Sequence, residues 1–427
     1  MPSNPAGIQS FGEFVDSLHA AKAEHHVGLP DRRVSDNNAF REMQDHLLRH
    51  YDGVVAQTSF VDENGSVFDC IPIEQQPARR RLRDPLPQAS DLPRGDADAG
   101  AAGERRIAHA QQLHPDRKDR HGNAMYAPEG TIAMRRLTIE NLARFPTLRH
   151  FFQKSPFGSG RPPRASGSPG LAPPSPAAPA VASTHRWAHA AQTVDNLGGH
   201  SFVNVWDPQI GANQVFSLSQ HWYVGGSGAG LQTAEVGVQI YPQMYGNTLP
   251  VFFIYWTADD YQTTGCYNLS CPAFVQTSNA WAIGGTLSPS STAGGQQYEM
   301  EFSYFFNQGN WWLYVGGGAA NNAIGYYPGS QYNNGALATQ AAEIDFGGEV
   351  VGTTSWPPMG SGAFANAGWQ QAAYQRDIRY FPAAGGNVSA NLTGAMTSPQ
   401  CFTVLVTMFG APWNETIYFG GPGGTTC

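Results

Sequence analysis

The C-terminal half of the sequence has almost no basic residues. From Thr184 to Cys427 it holds no lysine and three arginines, Arg186, Arg376 and Arg379, against twelve aspartates and glutamates. The whole chain of 427 residues carries 25 Lys and Arg and 33 Asp and Glu, so this half supplies the net charge of −8. An acidic surface repels the phosphate backbone, and we expect no nucleic-acid partner.

The scarcity of Lys and Arg also bears on behaviour at low pH. When carboxylates become protonated, such a chain gains little net positive charge, so the self-repulsion that drives acid unfolding stays small. The composition therefore suits an acidic environment. It fits equally well a secreted β-protein whose surface uses Gly, Asn, Gln, Ser and Thr in place of charged residues.

Cysteine is scarce as well, with five residues in the chain. Cys266 and Cys271 lie five apart, and Cys401 and Cys427 both fall late, which predicts two disulfides and leaves Cys70 in the N-terminal half. Disulfides indicate an oxidising compartment. No second Cys-x-x-Cys and no nearby His-x-x-x-His completes a tetrahedral site, so neither a metal nor another cofactor is predicted.

Long apolar runs are missing too. No stretch reaches the length of a transmembrane helix, and we expect no membrane partner. The N-terminal sequence "MPSNPAGIQSFGEFVDSLHAAK" has no signal-peptide core, so we expect a secreted protein whose export signal lies outside the supplied chain or that uses another route. Asn-x-Ser/Thr sequons are compatible with export, among them those at Asn268, Asn387, Asn391 and Asn414.

What is present divides the chain into three segments. Residues 1–152 mix helix and strand signals and predict a smaller α+β domain, with a helix in "NAFREMQDHLLRHYDG" and a hairpin around Asn64 and Gly65. Residues 153–184 are rich in Pro, Gly, Ser and Ala and predict an exposed linker. Residues 185–427 contain short β-branched and aromatic runs such as "PVFFIYW" and "CFTVLVTMF". This last pattern predicts a mainly β fold, an antiparallel β-sandwich.

One predicted strand, "TAEVGVQIYP", alternates between two kinds of face. Alternation places an acid, a glycine, an amide and a phenol on one face, namely Glu235, Gly237, Gln239 and Tyr241. The glycine suggests room for a ligand against the sheet, although a solvated outer face explains the same pattern. A second strand, "EIDFGGEVVG", holds Glu349 where carboxylates are disfavoured, and such local inconsistency is expected at functional sites.

Several ordered stretches resemble the neprosin family of glutamic peptidases: "NVWDPQ", "FSLSQHWY", "AEVGVQIYPQMYGN", "YWTADDYQTTGCYNLSCPAFVQ", "NWWLYVG", "IDFGGEVV" and "MGSG". In the first segment "FDCIPIEQQPA" and "YAPEGTIAMRRLT" resemble the activation or propeptide domain of the family. A cysteine is expected before "PEGTI", but Ala127 stands there, so Cys70 lacks the partner that the resemblance would offer.

The resemblance implies a β-sandwich endopeptidase that cleaves after proline at acid pH, with Glu235 and Glu349 as its catalytic residues. Asp345 is interpreted as a flanking acid. Two close carboxyls cannot both ionise easily, so one stays protonated in mild acid and the pair can supply both a base and an acid. The amides of Gln220 and Gln239 are candidate oxyanion donors by residue type, and Tyr241 is a candidate supporting residue.

The propeptide resemblance and the linker together predict a zymogen. Residues 1–152 would act as an intramolecular inhibitor, and self-cleavage in the proline-rich linker at low pH would release residues 185–427, whose substrates are proline-containing peptides or proteins. His185 and His189 lie at the linker edge and are interpreted as flexible surface positions.

Two other function classes fit the same residues. A glycoside hydrolase on the same sandwich could use the two glutamates, and a non-catalytic carbohydrate-binding module could use aromatic side chains to stack on sugars. Both need exposed aromatics, for which the candidates are Trp222, Trp256, Trp311, Trp312 and Tyr255. The propeptide argues for the peptidase, because a peptidase endangers the cell that makes it.

Overall fold

A computed structural model describes residues 6–30, 32–95, 107–109, 113–155 and 184–427. The α-helices are α1 (Phe11–Ala20), α2 (Asn37–Tyr51), α3 (Ile139–Leu142), α4 (Leu148–Phe152) and α5 (Pro242–Tyr245). The strands are β1 (Thr58–Val61), β2 (Val67–Pro72), β3 (Ile107–His109), β4 (Thr131–Arg135), β5 (His185–Asn196), β6 (Gly198–Asn204), β7 (Gln214–Gly225), β8 (Gln232–Ile240), β9 (Val251–Thr257), β10 (Cys266–Tyr267), β11 (Val275–Gln276), β12 (Gln297–Asn307), β13 (Asn310–Val315), β14 (Ala323–Pro328), β15 (Ala341–Gly352), β16 (Ala373–Tyr380), β17 (Val388–Ser389), β18 (Thr393–Met396), β19 (Thr403–Met408) and β20 (Glu415–Gly420).

The N-terminal part combines helices with a three-stranded sheet in the order β1-β2-β4. Helix α2 begins after Asp36, whose carboxylate accepts hydrogen bonds from the amides of Asn38 and Ala39 at 2.8 and 2.9 Å and so satisfies two of the free donors at the helix start. Its apolar face buries Phe40 and Met43, as the spacing predicts. The predicted hairpin is also confirmed as β1 and β2, which pair antiparallel.

The C-terminal part is a sandwich of two large sheets. One runs in the order β10-β9-β8-β7-β15-β5-β18, and the other follows the order β11-β14-β13-β12-β6-β16-β20-β19. Their facing side chains form an aromatic core, in which Phe252 stacks on Phe302 at 5.2 Å and Tyr223 meets Tyr304 at 5.7 Å. The prediction of a mainly β, antiparallel sandwich with a smaller N-terminal part is confirmed.

The N-terminal part contacts both sheets of the sandwich. Phe145 lies 6.4 Å from Tyr241 on the outer face of the seven-stranded sheet. On the other sheet, the hydroxyl of Tyr314 donates to the carbonyl of Ser90 at 2.6 Å, and β3 pairs in parallel with β12. The N-terminal part therefore clasps the sandwich from two sides.

Both predicted disulfides are confirmed. Cys266 bonds to Cys271, and Cys401 bonds to Cys427, 26 residues further along the chain. Cys70 is a buried free thiol that packs in one apolar cluster with Ala127. Ala127 therefore lies near the position where a disulfide partner for Cys70 would be expected.

Two further findings concern predictions about the chain as a whole. Among the described residues, none of the helices has the length and hydropathy needed to cross a membrane. Residues 156–183, which contain most of the predicted linker and its processing site, lie outside the described residues.

Candidate active site

The seven-stranded sheet places the two predicted glutamates on either side of β7. Glu235 in β8 pairs with Trp222, and Glu349 in β15 pairs with Leu218. Gln220 lies between these two positions on β7. Paired residues in neighbouring strands point to the same face, so both carboxyls and the Gln220 amide project from one face. We call this face the groove.

Two glycines bring the strands of the groove close together. Gly237 and Gly347 flank Gln220 on its two sides. A Cβ at Gly237 would lie 2.1 Å from the carbonyl oxygen of Ser219, and one at Gly347, where φ is +150°, would lie 2.5 Å from the Cα of His189. The two glycines therefore allow the backbones of neighbouring strands to approach closely. The room for a ligand predicted at Gly237 is instead taken up by β7.

Glu235 is fully buried and accepts hydrogen bonds from three neutral donors. The Gln220 amide donates at 2.8 Å, the Thr233 hydroxyl at 2.8 Å and the Tyr261 hydroxyl at 2.7 Å. Tyr261 holds its hydroxyl there from a backbone with φ of +60°, which is rare for an aromatic residue. Strain of this kind is typically found at functional sites.

Lys154 lies between the two glutamates. Its ammonium group forms an ion pair with Glu235 and lies 3.5 Å from the nearer carboxylate oxygen of Glu349. All three side chains are fully buried. The ammonium also lies 5.2 Å from the ring centroid of Trp222 and 5.8 Å from that of Tyr261, within the range of cation–π attraction. Charge pairing and the surrounding rings thus offset the cost of burying a cation.

Glu349 has a histidine on its other side. The Nδ1 atom of His185 lies 2.5 Å from a carboxylate oxygen of Glu349, and Nε2 of the same ring lies 2.9 Å from the hydroxyl of Ser155. Burial would raise the pKa of Glu349, but Lys154 and then His185 outweigh it and hold this pKa below its usual 4.5. Glu349 is therefore ionised at neutral pH.

The end of the N-terminal part supplies Lys154 and Ser155. Helix α4 runs into residues 151–155, which we call the covering segment. The hydroxyl of Tyr255 donates to the carbonyl of Phe152 at 3.1 Å, and that of Tyr267 donates to the carbonyl of Lys154 at 2.7 Å. Between them, Gln153 has φ of −64° and ψ of 148°, the values of a polyproline II chain. The chain is therefore extended at Gln153, between the two residues whose carbonyls accept these hydrogen bonds.

The other predicted supporting residues are further from the glutamates. Gln239 donates to the hydroxyl of Tyr267 at 3.1 Å and so supports a tyrosine of the covering contact. Tyr241 packs among aromatic rings, with Phe216 at 5.4 Å, and its buried hydroxyl has no hydrogen-bond partner among the described residues. Of the three, the structure brings Gln220 alone into contact with a predicted catalytic glutamate.

The interpretation of His185 and His189 as flexible surface positions is wrong. Both are buried, and both belong to β5, where they pair with β15. The Nδ1 atom of His189 lies 2.8 Å from a carboxylate oxygen of Asp345, and that of His185 lies 2.5 Å from one of Glu349. Alternation along "HRWAH" places the two histidines and Trp187 on one face of a strand. The sequence therefore contained a signal for this strand, but the segment was interpreted as part of the flexible linker edge.

The aromatics named for sugar stacking are not exposed. Trp222, Trp256, Trp311, Trp312 and Tyr255 are all buried. Trp311, for example, donates from its ring nitrogen to the carbonyl of Leu337 in the interior. The expectation of surface aromatics is therefore wrong. The two-sheet core and the covered groove bury most of them, and Trp312 packs in a separate cluster with Leu82 and Leu92 of the N-terminal part.

Two solved structures of scytalido-glutamic peptidase, each with a transition-state analog, match this chain at 10% identity and a TM-score of 0.32. They cover 56% and 57% of this chain and 98% and 100% of their own. That similarity is too low to carry an argument. The sequence itself matches the family model described as Neprosin over residues 213–422, a span that contains Glu235 and Glu349. The chain therefore belongs to the neprosin family.

Proposed function

We propose that the chain is a secreted glutamic endopeptidase that cleaves after proline at acid pH and is made as an inactive precursor. One observation carries the proposal. Two fully buried carboxylates, Glu235 and Glu349, face one ammonium group in a groove that residues 151–155 cover. Membership of the neprosin family and the two disulfides are compatible with it.

The pair of glutamates has the properties that peptide hydrolysis needs. Water attacks a peptide carbonyl when a base takes its proton, and the amine leaves when an acid supplies one. Two carboxyls that share one proton can do both. In the precursor, the Lys154 ammonium occupies the position between them, where the attacking water would have to lie. Gln220, which donates to Glu235, is placed to orient that carboxyl.

The covering segment indicates how a substrate would bind. The hydroxyls of Tyr255 and Tyr267 donate to carbonyls two residues apart, which is the spacing of alternate carbonyls in an extended chain. The φ of −64° at Gln153 is also the value that a proline ring imposes.

Residues 151–155 would then be the inhibitory part of the precursor. Lys154 forms ion pairs with both glutamates, and Ser155 contacts His185, so the groove cannot admit a second peptide while they remain. A carboxyl whose pKa is lowered in the covered state stabilises that state at neutral pH. The stabilisation is lost as the pH falls through the lowered value, so acid favours uncovering.

Two histidines in α2, the half-buried His46 and the buried His50, add to this acid sensitivity. Burial lowers the pKa of His46 from 6.5 to about 4, and that of His50 to about 3. His46 packs edge-on against Phe152 of the covering segment, with ring centroids 5.0 Å apart. Such neutral histidines stabilise the fold above pH 6.5, and this contribution declines below it until the lowered pKa values are reached. Helix α2, against which the covering segment packs, is therefore least stable in acid.

The proposal is tested on full-length protein held at pH 4. The substrates are casein, a pair of quenched peptides that differ in one proline-to-alanine change, and a β-glucan. We expect new peptide termini after proline, with the alanine peptide cut at least tenfold more slowly, a loss of about 1.4 kcal/mol or more. Cleavage of the glucan without cleavage of casein would replace the proposal by a glycoside hydrolase. If the protein turned over none of these substrates, the proposal that it is an enzyme would be rejected.

A further inference from the structure

We infer that His185 is a positioning residue that keeps Glu349 ionised, so that Glu349 is the base and Glu235 the acid of the pair. This inference rests on the proposed peptidase function and assigns roles within it. It arises from an asymmetry in the groove: the two glutamates are equally buried, but a histidine contacts only one of them among the described residues.

His185 is held firmly against Glu349. It is the first residue of β5 and pairs with Val351 of β15, two positions beyond the glutamate. Its ring stacks on Trp187 at 5.4 Å, and its side chain is 2% exposed. An ionised carboxylate can only accept hydrogen bonds, so the 2.5 Å contact places a hydrogen on Nδ1. A charged imidazole there would form a buried ion pair with Glu349.

The other nitrogen of His185 contacts the covering segment. Nε2 lies 2.9 Å from the hydroxyl of Ser155. When residues 151–155 leave the groove, the ring loses this partner and water gains access to it. The contact between Nδ1 and Glu349 does not depend on the covering segment, so the hydrogen bond and the charge with which His185 holds the pKa of Glu349 low remain after Lys154 has left.

Glu235 has no such neighbour. Besides Lys154, its hydrogen-bond partners Gln220, Thr233 and Tyr261 are all uncharged donors. The titratable groups that the structure places around the carboxyl pair are Lys154, Tyr261 and His185, and the phenols of Tyr255 and Tyr332 also interact with the charge of Glu235. Once Lys154 is gone, the charge of His185 faces Glu349 alone. The hydroxyls of Thr233 and Tyr261 can accept as well as donate, so Glu235 can carry a proton and keep both partners. A single proton shared by the pair therefore resides on Glu235.

The reaction follows from this distribution of charge. Glu349 accepts a proton from water as the water oxygen bonds to the peptide carbonyl carbon. Glu235 gives its proton to the amide nitrogen as the carbon–nitrogen bond breaks. The products are a carboxylic acid and an amine, and proton exchange with solvent returns the proton from Glu349 to Glu235. Each step conserves protons and needs no further reactant.

The pH profile of a His185→Gln variant tests the inference. Every protein tested carries a recognition sequence for an unrelated protease within residues 170–180, so that each is cut in the same way before acid treatment. In His185→Gln we expect the acidic limb of the kcat/KM profile to move up by about one pH unit. This shift corresponds to a tenfold loss of kcat/KM in the strongest acid, with little loss at the pH optimum. His189→Gln, on the same face of β5, is the matched control and should keep the wild-type limb.

A second measurement covers the case in which His185→Gln fails to fold. An ester with a 4-nitrophenolate leaving group needs a base to activate water but no acid to protonate the leaving group. Glu235→Gln should therefore keep at least tenfold more of its ester activity than Glu349→Gln does. An unshifted acidic limb in His185→Gln, or a larger loss on the ester for Glu235→Gln, would overturn the inference. Failure of the wild type to cut any peptide would instead reject the proposed function.

Discussion

The ammonium group of Lys154 forms an ion pair with the carboxylate of Glu235 in the interior, although the two residues lie 81 positions apart. Removing one partner of a buried ion pair leaves an uncompensated charge, which is costly. The contact therefore ties the N-terminal part to the groove at neutral pH. It also makes the stability of the covered state depend on the ionisation of the glutamates.

We predict that Lys154→Met weakens the latency of the precursor. Methionine keeps most of the side-chain volume but removes the charge, so the two glutamates repel each other and the covering segment is released more easily. The variant should cut a quenched proline peptide at pH 6, where the wild-type precursor is expected to be inactive.

Lys22→Met is the control for that variant, because the Lys22 side chain is 68% exposed and lies outside the groove. Its precursor should stay as inactive at pH 6 as the wild type. Lys154 would not be the inhibitory group if the Lys154→Met precursor were inactive at the same pH values as the wild-type precursor.

The histidines of α2 should determine part of the acid sensitivity. Replacing His46 by Leu removes a group whose pKa is lowered to about 4, so the variant should lose less thermal stability than the wild type between pH 6.5 and pH 4. Thermal unfolding at pH 7, 5.5 and 4 measures this. The matched control is His121→Leu, because the side chain of His121 is exposed. If the wild type and His46→Leu lost the same thermal stability on acidification, His46 would have no part in the acid response.

Acid treatment of full-length protein should produce self-cleavage within the linker. We expect a fragment that begins between about residues 163 and 185, because the prolines of the linker lie there and the family is expected to cut after proline. Glu349→Gln should yield none. N-terminal sequencing or intact-mass measurement identifies the cut. A Glu349→Gln protein processed at the wild-type rate, free of contaminating protease, would show that the cut comes from elsewhere.

The C-terminal disulfide should be a stabilising link. Opening the Cys401–Cys427 bond by changing both cysteines to serine frees a loop of 26 residues, for which the entropic model gives a loss of roughly 3 kcal/mol in the free energy of unfolding. Urea denaturation of the two proteins measures the difference. A change below about 0.5 kcal/mol would mean that contacts of the terminal strands hold this region without the bond.

The strands could be predicted because they follow from local patterns, whereas Glu235 and Glu349 were assigned from the resemblance to the neprosin family, with local patterns in support. Period-two alternation placed Glu235 on a polar face, and a carboxylate within "FGGEVV" stood out as inconsistent with its surroundings. The contacts of Lys154 and His185 could not be read in this way. Each depends on the register between segments that lie far apart in the chain, and no periodicity encodes that register.

Composition nevertheless contained a signal for Lys154. It is the last lysine before a stretch of more than 240 residues that has none, and Phe151 and Phe152 lie three and two positions before it. A lone cation beside apolar residues is a poor linker sequence, because linkers have little to bury. The interpretation of residues 153–184 as uniformly exposed linker overlooked this, and the structure shows Lys154 and Ser155 buried at the start of that range.

The glutamate pair itself is tested most directly by comparing Glu235→Gln and Glu349→Gln with Asp345→Asn. All three changes are nearly isosteric, and all three residues lie on one face of the sheet. Each protein, cut in the linker by an unrelated protease, is assayed at pH 4 on a quenched proline peptide. We predict a loss of roughly 10²- to 10⁴-fold for either glutamate variant and less than about tenfold for Asp345→Asn. Wild-type rates in either glutamate variant, with the fold intact by circular dichroism, would contradict the account.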